Sequence, residues 1–309
     1  MVQKRKVDAF FEAPNELVEF IKREIGEDDD RIKHVEDLLQ QRVHFDKHMP
    51  KNYDKAMARN FIRGAKFNLE ITRRKLEGYF LAKKAFPMFY HNRNPNCKDL
   101  LRAFDTVNIA RMPKLTQDGE RVCILSLADS NPDNFIMLDV LKLFWMLYDL
   151  TLTCDLPITS EIFIFDCASA KPEHLVKFLS SSFKNSVSIL QDAYAARVSQ
   201  LHVVNCPTMA EKVIAAVRPL IHEKVKKRFI VHKGVESLLN HLQPKVLPAE
   251  YGGHLESIRD YSRSWQEILV ANADWFEGQE GVTITGTPPR GINKFDNGLE
   301  GSFRQLNID

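Results

Sequence analysis

Leu201-His202-Val203-Val204-Asn205-Cys206-Pro207 runs into Thr208-Met209-Ala210-Glu211-Lys212-Val213-Ile214-Ala215-Ala216-Val217, an apolar strand followed directly by a helix. Pro207 marks the helix start, because proline lacks only an N–H that a first turn leaves unbonded anyway. Met209, Val213, Ala216 and Leu220 form one row at helical spacing, and Ala210, Ile214, Val217 and Ile221 form the next. Lys224-Val225-Lys226-Lys227-Arg228 comes next, and Leu247-Pro248-Ala249-Glu250-Tyr251-Gly252-Gly253 closes the stretch. Such a greasy helix beside a cationic run is either a core helix with a solvated end or a lipid-facing lid beside a contact for anionic membrane.

The chain has 309 residues, enough for one large domain or two smaller ones. Its net charge of +2 is too small for the whole chain to act as a partner of nucleic acid, so only local clusters matter. The five cysteines form no CxxC pair and no even set; they read as reduced, mostly buried thiols of a cytoplasmic protein. No apolar run follows Lys4, Arg5 and Lys6, so no signal peptide is expected. No uncharged apolar run approaches the ~18 residues of a membrane span, so any membrane contact is expected to be peripheral.

Helical spacing recurs in Pro14 to Ile25, in Ile32, Val35, Leu38, Leu39 and Val43, from a possible start at Asn52, and from Leu69 to Phe80. These predict a small helical lobe over residues 1–90, with Glu27 to Asp30 as a solvated turn or helix start. Beyond the Asn-rich loop at His91 to Cys97, strand candidates lie at Arg121–Leu127, Glu161–Asp166, Gln200–Asn205 and Phe229–His232. Helical patterns fill 134–151, 172–192 and 207–223 between them. That alternation predicts an α/β lobe over 91–260 with a largely parallel sheet. Residues 261–309 hold a last amphipathic helix, Tyr261 to Phe276, and a polar tail from Gly278 that lies along the surface or is disordered.

Catalytic motifs fail on inspection. His222-Glu223-Lys224-Val225-Lys226 begins like a zinc-protease helix but carries lysine where the second histidine belongs. Asp129 to Asn134 has oxygens at calcium-loop spacing, but Pro132 interrupts it and Val140 stands where a bidentate glutamate is required, so it reads as a turn capping the next helix. GxSxG, GxGxxG and GxxxxGK[ST] do not occur. His202 reads as a satisfied structural residue. No enzyme, no metal and no cofactor is expected.

The run Phe135 to Leu150 has three charges and is apolar nearly all round, hence buried on two sides. One side suits a sheet, and the other is either core or the wall of a cavity. Leu141, Phe144, Trp145 and Tyr148 share a face that inward-pointing Phe163 and Phe165 can meet. A cavity so poor in polar groups suits a lipid.

Phe61-Ile62-Arg63-Gly64-Ala65-Lys66-Phe67-Asn68 resembles the F-L-R-A-x-K-F element of the CRAL-TRIO N-terminal helical domain, with Gly64 where alanine is usual. The Leu201–Pro207 element, Arg218-Pro219-Leu220, the Lys224–Arg228 run and Leu247–Gly253 together resemble the CRAL-TRIO lipid-binding domain of the retinaldehyde-binding and α-tocopherol-transfer protein group. The resemblance spans about residues 30–260. It implies a helical lobe on an α/β lobe whose apolar pocket carries one hydrophobic molecule, closed by a gate helix at Pro207 to Ile221. Met209, Val213, Val217 and Ile221 would face the pocket, and Pro219 would be a weak point near the gate's end. It also implies phosphoinositide binding at two basic places. The second is kept as Lys224 and Arg228, with Lys227 adjacent; the first is a K-x-R pair that here reads Arg197-Val198-Ser199, one cation short. The expected function is therefore a cytoplasmic carrier that visits membrane surfaces, moving a retinoid, tocopherol or similar lipid between them. The alternative is a lipid-sensing regulator or scaffold that engages a protein.

Overall fold

The computed structural model describes residues 7–286, except the side chains of Thr208, Met209, Ala210 and Glu211. Lys4 to Lys6 and the stretch 287–309, with its Pro288-Pro289 pair, lie outside the described residues. Four helices open the chain: α1 (Asn15–Ile25), α2 (Asp29–Phe45), α3 (Lys55–Gly64) and α4 (Leu69–Ala85). Their starts are chemical. Asp28, Asp54 and Asn68 each accept a hydrogen bond from the backbone N–H three residues on, satisfying a donor that the first turn cannot. The acidic run at 27–30 is thus a helix start, with Asp29 and Asp30 beside the positive end of the helix dipole. Asp54 also moves the third helix to Lys55, beyond the start expected at Asn52.

Short α5 (Pro87–Tyr90) and α6 (Lys98–Thr106) lead into β1 (Val107–Leu115) and β2 (Arg121–Leu127). Then α7 (Met137–Thr151), β3 (Glu161–Asp166), α8 (Pro172–Lys177), α9 (Ser181–Asp192), β4 (Val198–Val204), α10 (Thr208–Val217), α11 (Glu223–Lys226) and β5 (Phe229–Val231) alternate. After three 3-10 turns come α12 (Ile258–Ala271) and α13 (Ala273–Glu280).

The sheet order is β1-β2-β3-β4-β5; β1 is antiparallel to β2, and every other pair is parallel. The sequence pattern missed β1. Its alternation is broken by Arg111, Pro113 and Lys114, and the register slips between Arg111 and Leu115, an irregularity an edge strand tolerates. Arg111 is nevertheless buried, because its guanidinium pairs with Glu161 on β3 and stacks over the Tyr148 ring. The helix expected over 172–192 is two helices, since Ser180 caps a new start at Ser181. The Asp129–Asn134 turn is closed by Asp129 bonds to Asn131 and Asn134 but does not cap α7, which has no side-chain cap.

Helix α12 packs on β1, and the indole of Trp265 donates to the Arg111 carbonyl at 3.1 Å. The tail begins as an ordered strap. Val282 and Ile284 are buried, Thr283 donates to the Phe80 carbonyl, and Thr285 N–H donates to the His48 carbonyl. Gly64 brings α3 against the segment before β4: a Cβ there would collide with the Ala195 carbonyl oxygen and stand 2.8 Å from the Ala195 Cβ.

Candidate binding cavity

Between the sheet and the helices α7, α9 and α10 lies a cavity of about 1250 Å³. Strand alternation aims Phe163 and Phe165 of β3, Leu201 and Val203 of β4 and Phe229 of β5 into it. Helix α7 adds Met137, Val140, Leu141 and Phe144, and α9 adds Phe183, Val187 and Leu190. Among the described residues, Phe135 and Phe178 bring the phenylalanines in the wall to seven, with Phe144, Phe163, Phe165, Phe183 and Phe229.

Of the α7 face read from the sequence, Leu141 and Phe144 reach the cavity; Trp145 and Tyr148 do not. Tyr148 lies a full turn beyond Phe144, where α7 passes the start of β3, and its hydroxyl donates to Glu161 at 2.7 Å. Trp145 is turned onto Tyr194, their rings stacked 4.8 Å apart. Both belong to the packed core.

From α10 and the turn after it, Val213, Ile214, Val217 and Ile221 line the cavity. The side chain of Met209 lies outside the described residues. Val213, Ile214 and Val217 are half-buried, and none of them joins the contiguous buried core. The core-helix reading of this segment therefore fails, because α10 packs mainly on α8 and on the 3-10 turn Arg218–Leu220 that follows it. Pro219 sits inside that turn, where the α-helix has already ended.

Charge gathers at the other end, where β4 and β5 begin. Among the described residues, Lys66, Arg197, His222, Lys224 and Arg228 line that part of the wall with a single carboxylate, Glu24. The arginines are partly committed: Arg197 donates to the Ile158 carbonyl at 3.0 Å and Arg228 donates to the Val198 carbonyl. Burial holds the Arg197 pKa below its ordinary value, opposed by Glu161. Ser199 also lines the wall, its hydroxyl donating to the Glu161 carbonyl. Lys224 and Lys227 are exposed, and Lys227 lies outside the wall, while Lys226 pairs with Glu223 at 2.5 Å.

Among the described residues, no group of the wall is poised for covalent chemistry. Burial pushes the Cys167 thiol up to about 12, with Cys206 and Asp166 adding to the effect, so the thiolate is scarce. Burial was expected for most of the thiols, but only Cys123 and Cys154 are buried; Cys97, Cys167 and Cys206 are intermediate. Sequence reasoning missed Leu201, Val203 and Ile214 as wall residues; Ile214 adjoins Val213 on the helix period, whereas Leu201 and Val203 reach the wall through their register with Phe163 and Phe165 of β3.

Residues 107–253 match the model of the CRAL/TRIO domain. The human protein "Alpha-tocopherol transfer protein-like" is 26% identical over 230 residues, covering 72% of this chain and 65% of its own length. Human "Clavesin-2" is 25% identical over 207 residues, 65% of this chain and 62% of its own. The match thus spans less than two thirds of the length of these relatives. Among solved structures, "Crystal structure of Sfh5" aligns over 90% of this chain and 99% of its own, with a TM-score of 0.45 and 13% identity.

Proposed function

We propose that this chain, whose residues 107–253 match the CRAL/TRIO domain, carries one hydrophobic molecule in the cavity and passes it between membranes. The observation that supports this most is the gate: Val213, Ile214 and Val217 face open apolar space instead of packing into core. Relatives named for α-tocopherol transfer favour a tocopherol, retinoid or similar lipid over a polar metabolite. We read the protein as cytoplasmic, transiently bound at membrane surfaces, and without catalytic turnover of its cargo. Among the described residues, no helix is long and apolar enough to cross a membrane.

Fully buried, each gate side chain would contribute roughly 1.5–3 kcal/mol. Three half-buried ones therefore hold the gate shut by a few kcal/mol, and it opens seldom in water. At an anionic surface the exposed side chains enter the interface, and Lys224, Lys227 and their neighbours add about 1 kcal/mol each. The membrane then favours the open state through its differential affinity. Phosphoinositide is the proposed anionic lipid, gripped by Lys224, Lys227 and Arg228, while Arg197 is committed to the Ile158 carbonyl. Native mass spectrometry of freshly purified protein tests the carrier role. A lipid-sized mass adduct is expected; an empty protein that also takes up no tocopherol, retinoid, sterol or phospholipid overturns it.

A further inference from the structure

On the sheet face turned away from the cavity, a chain of side-chain hydrogen bonds crosses from β4 to the segment after β5. Gln200 Oε1 lies 2.9 Å from His202 Nε2, His202 Nδ1 lies 2.8 Å from His232 Nε2, and His232 Nδ1 lies 2.6 Å from Ser237 Oγ. The Ser237 hydroxyl also reaches the Gly234 carbonyl at 3.1 Å. His202 and His232 are buried, their rings stacked 5.0 Å apart, and the exposed His241 ring packs edge-on to both at 5.3 and 5.5 Å.

The proton count of this chain is asymmetric. With Gln200 Oε1 as acceptor, His202 carries its proton on Nε2, its bare Nδ1 accepts from His232 Nε2–H, and His232 Nδ1 accepts from the Ser237 hydroxyl. A first added proton goes to His232 Nδ1. That N–H then donates to Ser237 Oγ, the hydroxyl turns to the Gly234 carbonyl, and every contact survives. A second proton has only His202 Nδ1 left, where it meets His232 Nε2–H head-on.

The main chain of the same residue anchors the gate. His232 N–H donates to the Val203 carbonyl at 2.8 Å, and the His232 carbonyl accepts from Cys206 N–H at 3.3 Å. Cys206 directly precedes Pro207, which caps α10, and Asn205 before it has a left-handed φ of 51° held by its amide bond to Asp166. We propose that the His202–His232 pair is a proton-operated latch: doubly protonated, it parts β5 from β4, releases the Cys206 anchor and loosens the gate.

Among the described residues, no carboxylate neighbour offsets the added charge. Burial, then His232 and His241, push His202 down to about 4; burial, then His241, lower His232. Both pKa values lie below the ordinary 6.5, so the latch is fully closed above about 6.5 and loosens as pH falls from there toward 4. The consequence for cargo rests on the carrier reading, whereas the loosening itself does not.

The test is amide hydrogen exchange of the full chain at about pH 7.4 and about pH 5, corrected for intrinsic rates. Expected is at least about tenfold faster exchange at 203–206 and 229–232 in acid, with 121–127 unchanged. Single variants His202→Gln and His232→Gln keep the contact in either protonation state, because the amide can turn to donate or accept, and their exchange should not respond to pH. Equal wild-type protection at both pH values overturns the latch, and so do folded variants that keep the wild-type response. The wild-type arm decides even where a variant fails to fold. Release of pyrene-labelled phosphatidylcholine to neutral vesicles separates the two readings. Faster exchange without faster release upholds the latch and counts against the gate.

Discussion

The guanidinium of Arg93 and the carboxylate of Asp149 meet at 2.6 Å where neither side chain reaches solvent. Tyr79 of α4 and Tyr194 ahead of β4 donate to the same carboxylate at 3.0 and 2.5 Å, so one acid on α7 gathers three separate segments. Replacing Asp149 by alanine strands a buried cation and should lower stability by about 3–5 kcal/mol in urea unfolding. Asp149→Leu combined with Arg93→Met should recover a large part of that loss, and no recovery would mean that the tyrosines, rather than the charge, set the cost.

Gly64→Ala should lower stability by about 1–3 kcal/mol, read as a fall in Tm. The new Cβ meets the Ala195 carbonyl oxygen as well as its Cβ, so adding Ala195→Gly should rescue only in part. A neutral Gly64→Ala would show that α3 can shift freely against the segment before β4.

Lys83 on α4 donates to the Gln279 carbonyl at 2.6 Å, and burial, with Arg93 nearby, pushes its pKa down to about 7. Between about 7 and its ordinary 10.5 the unfolded chain binds the proton that the folded chain has lost. Lys83 should therefore make stability climb as pH rises through that window. The difference in unfolding free energy between wild type and Lys83→Met should change across the window and be flat below it; a difference independent of pH sinks the claim.

Lys224→Ala with Lys227→Ala should weaken binding to anionic vesicles by about 2 kcal/mol at low salt, roughly thirtyfold, with the effect shrinking as salt rises. Arg197→Ala should cost stability instead, through the lost bond to the Ile158 carbonyl. Vesicle sedimentation beside thermal melts tells them apart. Equal vesicle-binding losses from both changes would place Arg197 in the docking surface.

Phe163→Trp should thicken the cavity wall without disturbing Tyr148 or Trp145, which lie outside the wall. Lower occupancy in native mass spectra at an unchanged Tm is the expected result; unchanged occupancy would put the cargo elsewhere in the space.

The local code was readable from the chain alone. Alternation gave β2 through β5 near their observed places, helical spacing found the N-terminal helices, and the run from Leu201 through Arg228 placed the apolar helix α10 beside the cations that follow it. Harder positions failed for specific reasons. Strand β1 was hidden because Arg111 is buried by an ion pair with Glu161, fifty residues away, and no local pattern announces such a partner. Trp145 and Tyr148 share a helical face with Leu141 and Phe144, yet a period reports direction around a helix and says nothing of what lies along its length.

Periodicity and steric constraint are properties of neighbours in sequence, so the amino-acid order by itself determined the alternating elements, the N-terminal helices and the apolar helix α10. Which side chains border empty space, which cations are bound to carbonyls, and the joining of His202 to His232 depend on groups far apart in the chain. Those relations exist only once the sheet has closed its register, and the tertiary structure alone decided them.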